Sequence, residues 1–238
     1  MRYSLADMLQ LSKIRAITLD LDDTLWPVLP TLHRAELALQ DWLTHRAPKA
    51  AALFKDTQKR LLLRQAAQAK FPDRHHDLSA IRLESIRMAL AQSGEDEALA
   101  PGAFEVFIAA RMVVNFYDDA LEGLGRLASK FPVLAVSNGN ADVNRVGIGH
   151  HFVGSVSAGD AGVAKPDPRI FLAAARTLQV QPEQVLHVGD DVHLDVVGAI
   201  ESGMQAVWIN RDAQPWTHPQ APHAIATDML SLCALLKL

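Results

Sequence analysis

Short apolar segments alternate with helical segments over the second half of the chain, and this alternation constrains the fold more than any other feature. Apolar stretches rich in β-branched residues occur at 133–136, 153–156, 185–188 and 206–209, and Ile14 to Leu19 is a similar stretch near the start. Such runs are typical of buried parallel strands, and the stretches between them carry helical spacing or capping residues. The sequence therefore predicts an α/β fold in which helices cover both faces of a parallel sheet.

The segment from 28 to 116 differs from the rest, because its apolar residues recur at helical spacing. Leu32, Ala35 and Leu39 begin one such stripe, and we find no convincing strand pattern in this part of the sequence. We therefore predict a Rossmann-like three-layer core interrupted, after its first strand, by an all-helical domain. The predicted boundaries are 1–27 and 117–238 for the core and 28–116 for the helical domain.

Composition and charge exclude several classes of protein. Hydrophobic residues make up 49% of the chain and charged residues 21%, which is typical of a globular protein and not of a disordered or fibrous one. The net charge of −4 gives no general attraction to nucleic acids or anionic membranes. We expect no nucleic-acid or membrane partner, and a monomer or homodimer.

The cysteine content and the N-terminal sequence bear on the compartment. The single cysteine, Cys233, cannot form an internal disulfide, which fits a reducing environment. Asp7, Gln10 and Lys13 interrupt any apolar core of a signal peptide, and no apolar run approaches the roughly 18 residues of a membrane helix. We therefore expect a cytoplasmic protein.

Four polar clusters lie where predicted strands end or a helix begins. In open α/β sheets ligands bind beyond the carboxyl ends of the strands, so we expect these clusters to converge on one edge of the sheet. The clusters are DLDDT at 20–24, SNGN at 137–140, KPDP at 165–168 and GDD at 189–191, with Asp195 following the last of them.

The acidic residues of these clusters predict a metal site. Asp20, Asp22, Asp190 and Asp191 would crowd negative charge into one cleft, which is costly unless a cation neutralises it. Oxygen ligands of this kind suit Mg²⁺, which binds one or two carboxylates together with substrate phosphate. Neither a thiolate cluster nor an HExxH motif occurs in the sequence, so zinc is not expected.

The other polar residues of the clusters suit a phosphate ester. The hydroxyl groups of Thr24 and Ser137, with loop amides near Gly139, can donate hydrogen bonds to phosphoryl oxygens. Lys165 supplies a positive charge. Asp20 can act as a nucleophile that forms an aspartyl-phosphate, while Asp22 protonates the leaving group and later activates water.

The four motifs, in this order, resemble those of the haloacid dehalogenase (HAD) superfamily, and the helical insertion is similar to that family's cap. The resemblance implies that Asp20 is the nucleophile, Asp22 the general acid and base, and Lys165 the residue that orients the nucleophile and the phosphate. It further implies that Mg²⁺ is bound by Asp20, Asp190 and the backbone carbonyl of Asp22, with Asp191 and Asp195 supporting the metal directly or through water. The predicted phosphate-binding residues are Thr24, Ser137 and Asn138.

A narrower resemblance concerns the substrate. The stretches DLDDTLWPVLPTLHRAE, SNGNA and LHVGDDVHLDVVGAIESGMQAVWI resemble a group of bacterial flavin-pathway phosphatases within the superfamily. The resemblance implies a small phosphorylated metabolite as substrate, either FMN or the riboflavin precursor 5-amino-6-(5-phosphoribitylamino)uracil. The cap would then close over the site and exclude water.

Several residue roles and functions stay open at this point. Trp26 either stacks on a flat substrate or packs at the start of the cap, and Arg82 either contacts the substrate or is a helix-surface charge. His187 lies in a predicted strand and is interpreted as structural. The alternative functions are a 2-haloacid dehalogenase, a phosphosugar mutase, and a metabolite-binding protein without catalysis.

Overall fold

The structure, a computed structural model, describes residues 9–238 and contains one six-stranded sheet. All neighbouring strands are parallel, in the order β3-β2-β1-β4-β5-β6, so the predicted α/β fold with a parallel sheet is confirmed. Asp7, one of the residues that interrupt a possible signal peptide, lies outside the described part of the chain. The strands are β1 (Ala16–Leu19), β2 (Val133–Ser137), β3 (Gly154–Ser157), β4 (Val185–Gly189), β5 (Gln205–Ile209) and β6 (Ala224–Ala226).

The central strands are apolar at nearly every position because both faces of the sheet are covered. All residues of β1, β2, β4 and β5 are buried. In the register of the sheet, Leu19 at the end of β1 lies opposite Ala135 of β2 and Val188 of β4. The residues that follow these three strands are therefore brought side by side at one edge of the sheet.

The chain divides into two compact units, which we call the sheet unit and the helical unit. The sheet unit comprises the chain up to Pro27 together with Asn115–Leu238, and the helical unit is Val28–Val114. The sequence predicts boundaries of 28 and 116 for the helical domain, and the helical unit ends two residues earlier, at Val114. Within the helical unit the structure describes five α-helices and no strand: α1 (Val28–Arg46), α2 (Pro48–Lys55), α3 (Thr57–Ala69), α4 (Leu78–Ser93) and α5 (Ala100–Arg111).

Local sequence explains the ends and faces of the helices in the helical unit. Helix α1 buries Ala35, Leu39 and Leu43, which are spaced four residues apart and so lie on one face. Helix α4 begins after Asp77, whose carboxylate accepts a hydrogen bond from Ala80 N, and ends at Gly94, which has a φ of 69°.

The sheet unit contains shorter helices between its strands. Helix α9 (Pro168–Leu178) begins with Pro168 after the capping residue Asp167, as the sequence predicts. The remaining helices are α6 (Ala120–Ala128), α7 (Val143–Val146), α8 (Ala158–Ala161), α10 (Gly198–Glu201) and α11 (Met229–Leu235).

The helical segment after β4 is not wound as one regular α-helix. Val192–Val197 is a π-helix that leads into α10. Val196 N donates to Asp191 O, five residues earlier, at 3.2 Å. Such wide turns occur frequently at functional sites, and this one contains Asp195.

The C-terminal part holds elements that the sequence analysis did not predict. Strand β6 has three residues and α11 has seven, which are too short for a recognisable hydrophobic period. Residues 213–223, between β5 and β6, form neither helix nor strand. Within residues 9–238 we find no helix with the length and apolar character needed to span a membrane.

Candidate active site

The polar clusters meet in a pocket of about 170 Å³ at the carboxyl ends of β1, β2 and β4. All the residues that line it belong to the sheet unit. This is the position at which an open parallel sheet binds its ligands. The predicted site residues that line the pocket are Asp20, Asp22, Ser137, Asn138, Lys165, Asp190, Asp191 and Asp195.

Lys165 lies at the centre of the buried charges. Its Nζ donates to Asp20 Oδ1 and to Asp195 Oδ1, and all three side chains are almost fully buried. Burial alone would lower the pKa of Lys165, but the charges of Asp195 and Asp20 outweigh burial and raise its pKa. Burial likewise acts to raise the pKa of Asp195, yet Lys165 holds that pKa below its ordinary value. Lys165 is therefore a fixed cation that holds one oxygen of Asp20.

A second pair of residues supports Asp195 from inside the sheet. His187 Nε2 lies 3.1 Å from Asp195 Oδ1, and His187 Nδ1 lies 2.9 Å from Thr18 Oγ1. Burial lowers the pKa of His187, so its ring is neutral. Because a carboxylate only accepts hydrogen bonds, Nε2 carries the ring proton and Nδ1 accepts from the threonine hydroxyl. His187 is a buried residue, and its ring also contacts the carboxylate that holds Lys165.

Gly189 allows Asp195 to come this close to the sheet. A Cβ atom at Gly189 would lie 2.3 Å from Asp195 Cγ, far inside van der Waals contact. The π-helical turn and the glycine together place the Asp195 carboxylate against the pocket, within hydrogen-bonding distance of Lys165. Its second oxygen, Oδ2, accepts a hydrogen bond from Asp191 N at 3.0 Å.

Asp20 and Asp190 are carboxylates in an unfavourable electrostatic environment. Burial and the charges of Asp195 and Asp190 raise the pKa of Asp20, against the effect of Lys165. Burial and the charge of Asp195 raise the pKa of Asp190 to about 7. A bound cation would relieve this cost, since it favours the ionised form of both groups.

The donor atoms around the pocket fit a magnesium ion. Carboxylate oxygens of Asp20, Asp190 and Asp195 lie within 4.8 Å of one another. Both Asp195 oxygens are already used in hydrogen bonds with Lys165, His187 and Asp191 N. Asp20 and Asp190 are therefore the residues that could hold the ion, in an all-oxygen environment of the kind that Mg²⁺ prefers.

Ser137 and Asn138 follow β2 and have different partners. Ser137 Oγ accepts a hydrogen bond from Gly139 N at 2.9 Å, which leaves the hydroxyl proton available to a ligand. Asn138 forms two hydrogen bonds with the backbone of Lys165: its Nδ2 donates to Lys165 O at 2.9 Å and its Oδ1 accepts from Lys165 N at 2.7 Å. Asn138 thus fixes the loop that carries Lys165.

Two predicted site residues have partners other than a ligand. Thr24, predicted to bind phosphate, is fully buried, and its hydroxyl donates to Asp190 Oδ1 at 2.9 Å. It orients a candidate metal ligand. Asp191, predicted to support the metal, accepts hydrogen bonds from His193 N and Leu194 N and so caps the π-helix.

Trp26 and Arg82, predicted as possible substrate contacts, are also bonded to the protein. Trp26 is fully buried, with no ring face exposed for stacking, and its Nε1 donates to Asp22 Oδ1 at 2.8 Å. Arg82, in the helical unit, pairs with Glu36 at 2.7 Å and lies over the Phe107 ring.

Two residues next to the site, Trp208 and Arg211, were not predicted from the sequence. Trp208 Nε1 donates to Asp190 O at 2.7 Å, and Arg211 donates to Thr24 O at 2.8 Å. Arg211 also forms two hydrogen bonds of 2.9 Å with Asp119. Trp208 lies near the end of β5 and Arg211 just after it. Because ligands bind beyond the carboxyl ends of parallel strands, this position could have indicated both residues as candidates.

The chain is similar to known hydrolases in both sequence and structure. A sequence profile described as haloacid dehalogenase-like hydrolase matches residues 14–203. The 5-amino-6-(5-phospho-D-ribitylamino)uracil phosphatase YigB of Escherichia coli (strain K12) is 34% identical, over 95% of this chain and 98% of that protein. A phosphoserine phosphatase of Thermus thermophilus is 28% identical, over 91% and 96% of the two chains.

A solved structure gives a similar result. A protein described as 2-haloacid dehalogenase from Pseudomonas syringae pv. Tomato DC3000 superposes with a TM-score of 0.89 and is 35% identical, over 94% of this chain and 98% of that one. The four motifs, the Rossmann-like sheet and the pocket of carboxylates around a buried lysine agree with these matches. The chain belongs to the haloacid dehalogenase-like hydrolase family.

Proposed function

We propose that this protein is a Mg²⁺-dependent phosphatase that hydrolyses small phosphomonoesters through an aspartyl-phosphate on Asp20. One observation carries the proposal: Asp22 and Asp190 line the same pocket as Asp20. A hydrolase that displaces halide needs neither a second acid nor a metal-binding carboxylate. A phosphatase with an aspartate nucleophile uses both, because its leaving group is protonated as it departs and a cation offsets the repulsion between the carboxylate and the anionic substrate.

In the first step, Asp20 attacks the phosphorus atom. Lys165 holds Oδ1 of Asp20, so Oδ2 is the attacking oxygen. As the new O–P bond forms, the bond from phosphorus to the ester oxygen breaks, and that oxygen takes a proton from Asp22. The phosphoryl oxygens receive hydrogen bonds from the Ser137 hydroxyl and from backbone amides near Gly139.

In the second step, a water molecule attacks the phosphorus atom of the aspartyl-phosphate. Asp22, now ionised, takes the proton of that water. The O–P bond to Asp20 breaks and releases phosphate and the free carboxylate. The net reaction consumes one water and yields an alcohol and phosphate, with both aspartates restored.

Asp20 and Asp190 are the carboxylates that would hold the metal, with the backbone carbonyl of Asp22 as a third ligand by analogy with the family. When bound, Mg²⁺ supplies positive charge against the crowded carboxylates and the phosphoryl oxygens. Thr24 keeps Asp190 oriented through its hydroxyl group.

The substrate we propose is FMN or 5-amino-6-(5-phosphoribitylamino)uracil. The support is the likeness to the Escherichia coli phosphatase, whose name contains the second compound and which matches over nearly its whole length. We further propose that the protein works in the cytoplasm, where its free and buried thiol, Cys233, would stay reduced.

A 2-haloacid dehalogenase is the second candidate, because the similar solved structure from Pseudomonas syringae carries that description. Asp20 would serve as nucleophile there too, but it would displace halide from carbon. The two candidates differ in product and in their need for metal.

Phosphate release by the purified protein tests the proposal. The panel holds FMN, the ribitylaminouracil phosphate, sugar phosphates, phosphoglycolate, nucleotides and p-nitrophenyl phosphate, each with Mg²⁺ and with EDTA. Chloride release from 2-chloropropionate is measured in parallel, and Asp20→Asn is the control for contaminating activity. We expect Mg²⁺-dependent phosphate release that favours the two flavin-pathway compounds.

Other outcomes have definite meanings. Phosphate release that favours another compound would keep the phosphatase and reject the flavin-pathway substrate. Chloride release that EDTA does not affect, without phosphate release, would establish the dehalogenase instead. Transfer of the phosphoryl group within a sugar phosphate, without free phosphate, would indicate a mutase.

A further inference from the structure

We propose that Arg211 is a positioning residue for the metal site. It acts through Thr24 on Asp190 and so strengthens the binding of Mg²⁺ without touching the ion. The inference rests on the proposed function, since it concerns the cation of that reaction. Arg211 lies just after β5, outside the four motifs, and no step of the proposed mechanism uses it.

The guanidinium of Arg211 joins segments that lie 92 and 187 residues away in the sequence. Its Nη1 and Nη2 donate to Asp119 Oδ1 and Oδ2 at 2.9 Å each, and Nη2 also donates to Thr24 O at 2.8 Å. The guanidinium carbon lies 3.8 Å from the centroid of the Tyr117 ring. The carboxylate, the carbonyl and the aromatic ring together fix both the position and the plane of the guanidinium.

Asp119, the acid of this ion pair, is itself held in place. It precedes α6, and its Oδ2 also accepts a hydrogen bond from Met229 N, at the start of α11, at 2.7 Å. Burial acts to raise the pKa of Asp119, but the hydrogen bonds from Arg211 and Met229 N outweigh burial and hold that pKa below its ordinary value. Asp119 is therefore ionised at neutral pH, and the ion pair is anchored where two helices begin.

Thr24 connects the ion pair to the candidate metal ligand. Its carbonyl oxygen accepts from Arg211, and its hydroxyl donates to Asp190 Oδ1 at 2.9 Å. The preceding residue, Asp23, has a φ of 59°, a left-handed conformation that residues with side chains rarely adopt. Such a conformation persists where surrounding contacts hold the chain. The hydrogen bond from Arg211 to Thr24 O is a contact of this kind, and it fixes the residue that orients Asp190.

The direction of the effect on Mg²⁺ binding separates positioning from charge. A residue that orients a metal ligand commonly changes metal affinity by about 10–100-fold when it is lost. Because Arg211 acts through Thr24, we expect the lower end of this range. Charge alone predicts the opposite direction, since removal of a cation near the site would favour the binding of another cation.

Two substitutions of Arg211 test the inference through the Kd of Mg²⁺. Protein freed of metal with EDTA and then dialysed is titrated with Mg²⁺ in a calorimeter. Arg211→Met removes the guanidinium and keeps a flexible stem, and we expect the Kd to rise about 10-fold. Arg211→Lys keeps the charge but cannot reproduce the forked bonds to the carboxylate and the carbonyl, so we expect its Kd to rise as well, by about 3-fold or more.

The matched control is Arg82→Met, in the helical unit. Arg82 also pairs with a carboxylate and lies over an aromatic ring, and its side chain is 17% exposed, against 16% for Arg211. Arg82→Met and Arg211→Met should therefore lose comparable stability in thermal unfolding. Only Arg211→Met should change the Kd of Mg²⁺, because Arg82 has no bond to a residue that orients a metal ligand.

Thr24→Val tests the intermediate step, and it does so even if Arg211→Met does not fold. Valine keeps the shape of threonine and its backbone carbonyl but removes the hydroxyl that holds Asp190. We expect the Kd of Mg²⁺ to rise about 10-fold or more. Adding Arg211→Lys to Thr24→Val should raise the Kd little further, because the link to Asp190 is already broken.

Several outcomes would overturn the inference. An unchanged Kd in both Arg211 variants, with lowered stability, would make Arg211 a residue of the fold alone. Tighter Mg²⁺ binding by Arg211→Met would show that charge outweighs positioning. An unchanged Kd in Thr24→Val, or fully additive losses in the double variant, would show that the effect does not pass through Thr24. If the wild type binds no Mg²⁺, the proposed function fails first, and this result is distinct from the others.

Discussion

Buried charges are arranged differently in the two units of this protein. In the sheet unit, Lys165 pairs with Asp20 and Asp195. A third carboxylate, Asp190, lies beside these two, and its pKa is raised to about 7. In the helical unit, acids and bases pair. Arg82 bonds to Glu36, and Glu84 accepts hydrogen bonds from Lys70 and Arg87 at 2.6 Å each.

The difference shows what each arrangement is suited to. An excess of buried negative charge raises the free energy of the folded protein. Binding of a cation relieves that repulsion, and the raised pKa values suit groups that take part in a reaction. Balanced pairs have no such surplus and act on stability alone. Changes in the sheet-unit cluster should therefore alter chemistry, and changes in the helical-unit pairs should alter only stability.

Asp20→Asn should have the largest effect, because it removes the attacking oxygen while keeping the shape of the side chain. We expect turnover to fall by about 10³-fold or more, with the fold intact by circular dichroism. Substantial remaining turnover in a preparation free of wild type would remove Asp20 as the nucleophile.

Gly189→Ala tests whether the close approach of Asp195 matters. The new methyl group would lie 2.3 Å from Asp195 Cγ and push that carboxylate away from Lys165. We expect a loss of about 3 kcal/mol in the free energy of unfolding, with activity reduced at least about 10-fold.

The matched control for Gly189→Ala is Gly125→Ala, in helix α6. A Cβ atom there meets only His151 Cε1, at 3.7 Å, an ordinary contact. This variant should be more stable than the wild type by about 0.5–1 kcal/mol, since alanine favours helix. If Gly189→Ala lowered neither the free energy of unfolding nor the activity, the close contact between position 189 and Asp195 would be contradicted.

Arg82→Met tests whether the Arg82–Glu36 ion pair of the helical unit acts on stability alone. It leaves Glu36 without its partner and removes a cation from the Phe107 ring, so we expect a loss of about 3 kcal/mol in the free energy of unfolding. The exposed pair of Arg74 and Asp77 supplies the control, where Arg74→Met should cost less than about 1 kcal/mol. A large rise in KM with unchanged stability would instead make Arg82 a substrate contact.

Added Mg²⁺ should stabilise the EDTA-treated wild type through Asp20 and Asp190. At a concentration of about 100 Kd the gain is about 2.7 kcal/mol, or several degrees in Tm. Asp190→Asn should lose most of this shift. Asp73→Asn, at an exposed position of the helical unit, should keep it. Equal shifts in both variants would place the binding elsewhere.

Glu84→Gln should give the smallest effect, and a pH-dependent one. Burial acts to raise the pKa of Glu84, but hydrogen bonds from Lys70 and Arg87 outweigh it and hold the pKa below the ordinary value of 4.5. The stabilisation is present above that value and is lost as pH falls through the folded pKa. We expect the variant to lower the free energy of unfolding by about 1 kcal/mol at pH 7. The difference from the wild type should vanish when the free energy of unfolding is measured at acid pH. A constant difference at all pH values would show that packing, not charge, is responsible.

Sequence reasoning predicted the α/β fold and the convergence of four motifs because these depend on local patterns. Apolar runs mark buried strands, and the carboxyl ends of neighbouring parallel strands must meet. Strand β6 and helix α11 were not predicted, because they are too short to show a hydrophobic period. The π-helical turn was not predicted either, because its hydrogen bonds span only one residue more than those of an α-helix.

The sequence by itself thus determined which residues lie at the active edge of the sheet. Only the tertiary structure decided which of them touch. Lys165 and Asp20 are separated by 145 residues and Thr24 and Asp190 by 166, and no local pattern encodes such pairs. Thr24 therefore turned out to bond to Asp190, and Trp26 to Asp22, where the sequence allowed ligand contacts. The physical reason is that a buried donor must find an acceptor, and which acceptor is in reach depends on how the whole chain packs.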